Sequence, residues 1–410
     1  MATPDRRGLF RLAAGGAAAV VVSRAGMAQA ATPPPVPLPT LPPLPCLELV
    51  HKKKTIKICP PGKLKDGLLL DAIQIDGVSL KAMAHKGRFV TVLNQHVDFG
   101  SLEEAALHGA ELLRGAKLFE PPGKSGLKPH APEPCNHRLR AGQVRKTASA
   151  LTAAERADFV KALLTLKSQG TYDWFVDVHR RAFDNHQWNA HMHAGFLPWH
   201  RAFLLLFEAQ LERIKPGLAL PYWDWSVQQS LGVAPFTTDF LGGNGRVEDG
   251  QVMDGPFAYR NGQWKLTVRN DDREFLRREL GSRAAKPSPP SAVTAALSNT
   301  VYDRAPYDST VTGFRNAVEG WPSGPTMHNR AHVWTGGSML PASSPNDPAF
   351  FMNHCFVDKI WSDWQTKNPN VAQFLPPELM DVPLEPFKSE AGWSITPRQL
   401  LNHRGWYTYA

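Results

Sequence analysis

Histidine spacing constrains this chain more than any other feature. In His328-Asn329-Arg330-Ala331-His332 the two imidazoles stand four residues apart, so on a helix both leave one face and can share a metal ion. Twenty-two residues after His332, beyond the loop 344–348, Phe350-Phe351-Met352-Asn353-His354 adds a third imidazole on what reads as the next helix. A polar helix face explains most such pairs, so one pair alone decides little.

A second set lies upstream. Tyr172 to His179 reads as a helix, His191 as a loop residue, and His200 as the start of a second helix over Arg201 to Ile214. Imidazole-only sites suit zinc, copper, iron or nickel, and three histidines with an open position fit a catalytic zinc. A zinc hydrolase, however, carries a carboxylate base, typically the Glu of H-E-x-x-H, and Asn329 stands at that position. Two all-histidine triads without a bridging carboxylate favour a redox-active metal, copper first.

Read in order, five segments carry a family resemblance. They are His179, His191 to Phe196-Leu-Pro-Trp-His200-Arg201, Leu220-Pro-Tyr-Trp-Asp-Trp225, His328 to Trp334, and Asn346-Asp-Pro-Ala-Phe-Phe-Met-Asn-His354. Together they resemble the signatures of bacterial tyrosinases, from about Val144 to the C-terminus. The resemblance implies a mostly α-helical domain with a four-helix-bundle dicopper core. It implies two copper ions, one on His179, His191 and His200 and one on His328, His332 and His354, with O2 as co-substrate. The activity it implies is ortho-hydroxylation of monophenols and oxidation of o-diphenols to o-quinones. Glu319 and Asn329 match a pair that holds a phenol-deprotonating water, and Phe350 matches an aromatic closing over one copper. Arg201 and Asp347 read as scaffold, and His186 and His193 as non-ligands. A catechol or o-aminophenol oxidase would use the same ligands; an oxygen carrier is a more distant alternative and a zinc hydrolase the remotest.

Composition sets the remaining limits. With 410 residues, 42% of them hydrophobic and 20% charged, the chain has room for two domains and a sizeable core. All 12 tryptophans lie from Trp174 onwards, as a helical core with large aromatic fillers requires. The net charge of +9 is scattered, and its one compact run, His51-Lys52-Lys53-Lys54, lacks interleaved aromatics; nucleic acid is not an expected partner.

Residues 1–30 read as an export signal. Asp5-Arg6-Arg7-Gly8-Leu9-Phe10 is a twin-arginine pattern, followed by an Ala/Gly-rich apolar core and an Ala28-Gln29-Ala30 cleavage site. The apolar run is interrupted by Arg24 and too short to span a bilayer, so no membrane association is expected after cleavage, and the destination is periplasmic or secreted. Residues 31–45 form a proline-rich tether. Of the four cysteines, a Cys46–Cys59 bridge is one option that spacing alone does not decide, and Cys355 reads as helix packing.

Residues 46–120 alternate as short strands over Thr55–Ile58, Leu68–Ile75, Val78–Met83 and Phe89–Leu93, with an Asp76-Gly77 hairpin turn. Ser101 and Glu104 are spaced as a capping box for a helix to about Arg114, which Gly115 stops. This α+β segment, a small sheet plus one helix, resembles the caddie protein, the copper-loading partner of some bacterial tyrosinases. The matching stretches are Ile75 to Leu80, Phe89 to Leu93 and Ala105 to Ala116. The resemblance implies an intramolecular loading domain that keeps the chain latent, with His96, or its neighbour Phe99, as plug where the caddie carries a tyrosine. The chain then divides into the signal (1–30), the tether (31–45), the caddie-like domain (46–120), a linker (121–143) and the dicopper domain (144–410), which acts on a small phenolic or catecholic substrate.

Overall fold

The computed structural model describes residues 45–119, 130–132, 142–227, 230–322 and 324–410. The export signal, nearly all of the tether and most of the linker lie outside the described residues. From Pro43 onwards the chain forms one compact unit.

Six strands open it: β1 (Leu47–His51), β2 (Lys54–Ile58), β3 (Leu69–Ile75), β4 (Val78–His85), β5 (Arg88–Thr91) and β6 (Asn94–Phe99). They pair in chain order as an antiparallel meander. Asp76 and Gly77 both take positive φ (52° and 82°), as the Asp-Gly hairpin requires. Cys46 and Cys59 are joined by a disulfide across β1 and β2. β1 and β6 go beyond the expected strands: Asn94-Gln95-His96 offers neither the alternation nor the branched residues that mark a strand.

Helix α1 (Leu102–Leu113) covers the sheet. Gly109 permits the approach, because a Cβ there would sit 2.7 Å from Leu80 Cδ2. Ser101 caps Glu104 N–H, but the Glu104 carboxylate reaches back to Gly100 N–H rather than to Ser101.

The helical part follows β7 (Gln143–Arg145) with α2 (Ala153–Ser168), α3 (Thr171–Asp184), α4 (Phe196–Ile214), α5 (Pro290–Leu297), α6 (Phe314–Glu319), α7 (Met327–Thr335) and α8 (Ala349–Lys367). The last strand, β8 (Tyr407–Tyr409), pairs in parallel with β7. Thr152 and Glu155 form the complete capping box that opens α2. α4 begins at Phe196, five residues before the expected start. Pro198 falls in its first turn, where a missing N–H has no intrahelical partner to lose. Phe175, Phe203, Phe207 and Phe351 interlock at its centre, with Phe207 stacked 3.6 Å from Phe351. Among the described residues no helix is long and apolar enough to cross a membrane.

Among the described residues, the backbone hydrogen bonds that join the sheet to the helical part include Ala342 N–H to Val92 O (2.9 Å) and Gln95 N–H to Leu340 O (3.4 Å), and Lys86 pairs with Asp308 (3.3 Å). Phe183, Met192, Val333, Leu340 and Ala342 share one apolar cluster with the inner faces of the sheet and α1. This docking seats β6 against α7.

Candidate metal centre

Four helices and one loop bring six histidines together. His179 comes from α3, His200 from α4, His328 and His332 from α7, His354 from α8, and His191 from the loop between α3 and α4. His191 lies close to two non-glycine residues in left-handed conformation, Asn189 (φ 57°) and Met192 (φ 54°), strain of the kind that persists where the surroundings enforce it.

Ring centroids in the first group lie 4.9 Å (His179–His191), 5.1 Å (His191–His200) and 5.8 Å (His179–His200) apart. In the second they lie 4.6 Å (His328–His332), 4.5 Å (His328–His354) and 5.7 Å (His332–His354) apart. His200 and His354 stack at 4.2 Å, so the two groups adjoin. Burial pushes all six imidazoles below their usual range, His179 to about 4 and His328 to about 3. They are therefore neutral at pH 7, as metal binding requires.

The hydrogen bonds fit a metal as well. His179 Nδ1 bonds Ala342 O (2.7 Å), His200 Nδ1 bonds Phe196 O (2.9 Å) and His332 Nδ1 bonds Met339 O (2.7 Å). Each then has Nε2 buried without a partner. A backbone carbonyl on one ring nitrogen and a free lone pair on the other is how a metal-binding imidazole is oriented. The donor atoms of His179, His191 and His200 lie within 4.8 Å of one another, close enough to hold one ion. The same limit joins His328 and His332 to His96, from β6.

His96 is 1% exposed and stacks 3.7 Å from His332, with Nδ1 3.4 Å from Asn329 Oδ1. Phe99, the other expected plug, lies elsewhere: its ring packs 4.9 Å from His108. The pairing of β5 with β6 is irregular between Asn94 and Phe99, the stretch that holds His96, and the two rings meet different partners.

Phe350, fully buried, lies 4.7 Å from His179 and 4.2 Å from His354, between the two groups. Phe196 does the same from the other side, 4.8 Å from His200 and 5.0 Å from His328. Nothing in the spacing of Phe196 within the segment from His191 to His200 separates a site aromatic from a core one.

Glu319 ends α6, 1% exposed. Its carboxylate accepts from Met192 N–H (2.5 Å) and from Arg315 (2.9 Å), while its backbone carbonyl lies 3.3 Å from His328 Nδ1. It thus ties the His191 loop to α7. Burial pushes its carboxyl above the usual range, against the pull of Arg315. Asn329 Oδ1 lies 3.0 Å from His328 Nδ1, and its buried Nδ2 has no partner. Gly320 closes the turn between them at φ 101°, with its Cβ position 3.2 Å from Asn329 Cβ.

As expected of scaffold, Arg278 clasps the Asp347 carboxylate through Nε (2.7 Å) and Nη2 (2.8 Å), and Arg201 binds Asp358. Cys355 is buried, its Sγ 3.6 Å from Leu220 O. His186 and His193 join neither donor group, and nor does the expected ligand His354, whose Nε2 lies 3.1 Å from His328 Nε2.

Two adjoining groups of neutral imidazoles, walled by aromatics inside a helical core, form donor sets that could each hold a metal ion. A family model described as the common central domain of tyrosinase matches residues 169–367. Tyrosinases of Streptomyces antibioticus and Streptomyces glaucescens are 44% identical over 276 residues and 43% over 277, each match covering 65% of this chain and 98% of the relative. The chain belongs to the tyrosinase family, whose chemistry uses two coppers and O2. A grixazone synthase of Streptomyces griseus is 38% identical over 308 residues, again covering 65% of this chain and 98% of the relative. A polyphenol oxidase from Thermothelomyces thermophila shares the fold, with a TM-score of 0.51 and 22% identity over 66% of this chain and 89% of that one.

Proposed function

We propose that the protein hydroxylates monophenols at the ortho position and oxidises the resulting o-diphenols to o-quinones, one O2 taking a phenol to a quinone and water. His179, His191 and His200 would hold one copper, and His328, His332 and His354 the other. The coppers, when bound, supply the redox chemistry with O2; positioning and proton handling belong to the chain. Phe350 and Phe196 exclude water and present flat apolar walls to an aromatic ring. Glu319, with Asn329, takes the phenolic proton through a held water.

The observation that carries this reading is buried Asn329 against His328 Nδ1, its Nδ2 without a partner, with the Glu319 backbone carbonyl on the same ring nitrogen. A catechol or o-aminophenol oxidase is the competing reading, since it needs the same histidines but less help with deprotonation. Asn329→Leu separates them, whereas a Glu319 variant would also free the His191 loop. The variant should lose monophenol turnover more than catechol turnover, by about 100- to 10,000-fold if general-base help is removed. Equal loss on both substrates would mean simple damage to α7.

The first domain, residues 46–120, is read as a fused copper-loading partner that keeps the enzyme latent, joined by a linker at 121–143 to the dicopper domain at 144–410. His96 would be its plug, a role supported by its stacking on His332. Residues 1–30 would direct export by the twin-arginine route.

A further inference from the structure

We propose that His96 is not only a plug but a copper ligand, an imidazole delivered by β6 to the site of His328 and His332. The proposal rests on the dicopper reading above and deepens it.

Three observations support it. The donor atoms of His96, His328 and His332 lie within 4.8 Å of one another, as tightly as those of the His179 group. His96 also shows the bonding pattern of the other donors: Nδ1 approaches an oxygen, Asn329 Oδ1, and Nε2 is buried without a partner. Leaving such a nitrogen buried and unpaired is unfavourable, and a metal would satisfy it. His354 departs from the pattern, since its Nδ1 is the buried, unpartnered nitrogen and its Nε2 faces His328 Nε2 at 3.1 Å. Four imidazoles therefore surround a site that needs three, and His96 and His354 are interchangeable as the third. Stacking on His332 is the competing use of the His96 ring.

The consequence concerns the whole fold. His354 is fixed on α8, whereas His96 arrives on a sheet that docks through backbone hydrogen bonds, the Lys86–Asp308 pair and an apolar cluster. Copper bound through His96 would add a coordinate bond to that docking, so the loaded site would hold its own cover.

The test is copper per chain in the full-length protein, stripped and reloaded with Cu(I) without oxygen, then challenged with a chelator. Wild type should hold two coppers. His354→Ala should still hold two, because His96, His328 and His332 remain, and His96→Ala/His354→Ala should fall to one. His200→Ala, which opens the other site, should hold one and calibrates the measurement. A thermal melt on each variant checks folding, and His354→Gln replaces any alanine variant that fails it. Two coppers in wild type but one in His354→Ala and His354→Gln would overturn the role of His96 and leave the dicopper reading intact. Fewer than two in wild type would overturn the dicopper reading itself. His96→Ala should release its second copper to the chelator faster than wild type; an unchanged rate would leave stacking as the role of the ring.

Discussion

Asp358 lies on α8 one turn beyond His354, where its carboxylate accepts from Arg201 (2.5 Å), Arg145 (3.2 Å) and the hydroxyls of Tyr407 and Tyr409 (2.5 Å each). Burial alone would raise its pKa, but Arg201 and Arg145 outweigh that and hold it at about 2. The folded value lies below the ordinary 3.8, so the carboxylate's contribution is fully present above about pH 4. It is lost as pH falls through the folded value. Asp358→Asn leaves the buried Arg201 guanidinium without its carboxylate, while Arg145 keeps Glu208, and should cost about 3–5 kcal/mol at neutral pH. It should also flatten the acid limb of stability between about pH 4 and 2, read by urea unfolding. An unchanged midpoint at neutral pH would show that Arg145 and Arg201 find other partners. The same helix thus carries a donor to the metal centre and an anchor for the C-terminal strand.

Segment 339–342 links local structure to the site. Met339 O and Ala342 O orient His332 and His179, one from each donor group, while Leu340 O and Ala342 N–H bond the sheet. None of this was legible in the sequence, because a backbone carbonyl leaves no residue signature. The helix repeat made His328 and His332 legible as a pair on one face, whereas the full set of six was expected only from the resemblance. His96 was legible only through resemblance: it lies on a strand that its own residues do not announce, and it meets α7 across 233 positions of chain. Gly320 gives the element-scale prediction. Its φ is 101°, and a Cβ would fall 1.9 Å from Thr326 O, so Gly320→Ala must open the turn between α6 and α7. The expected loss is about 1–3 kcal/mol, with monophenol turnover falling and copper held less tightly, since Glu319 ties the His191 loop and Thr326 opens α7. Full monophenol activity in this variant would remove Glu319 from the mechanism.

On the scale of the whole molecule, the first domain buries its inner face against the helical part and sets His96 on His332. If residues 46–120 act as a cover, joining them to the helical part in one chain makes their docking intramolecular, so even a weak cover should stay in place at any dilution. Cutting within 121–143 turns the contact bimolecular and hence dependent on concentration. Turnover of a bulky phenol by the cut, copper-loaded protein should therefore rise as it is diluted, whereas the intact chain should stay latent throughout. Removing 46–120 from the gene is a different operation. It would expose Phe183, Met192, Val333, Leu340 and Ala342 together, an apolar face prone to association. If the domain loads copper, that truncated protein should also be copper-poor, and separately made domain added with Cu(I) should restore the metal. An intact chain as active as the cut one at every dilution would rule out the cover, and restoration by Cu(I) alone would rule out the loader.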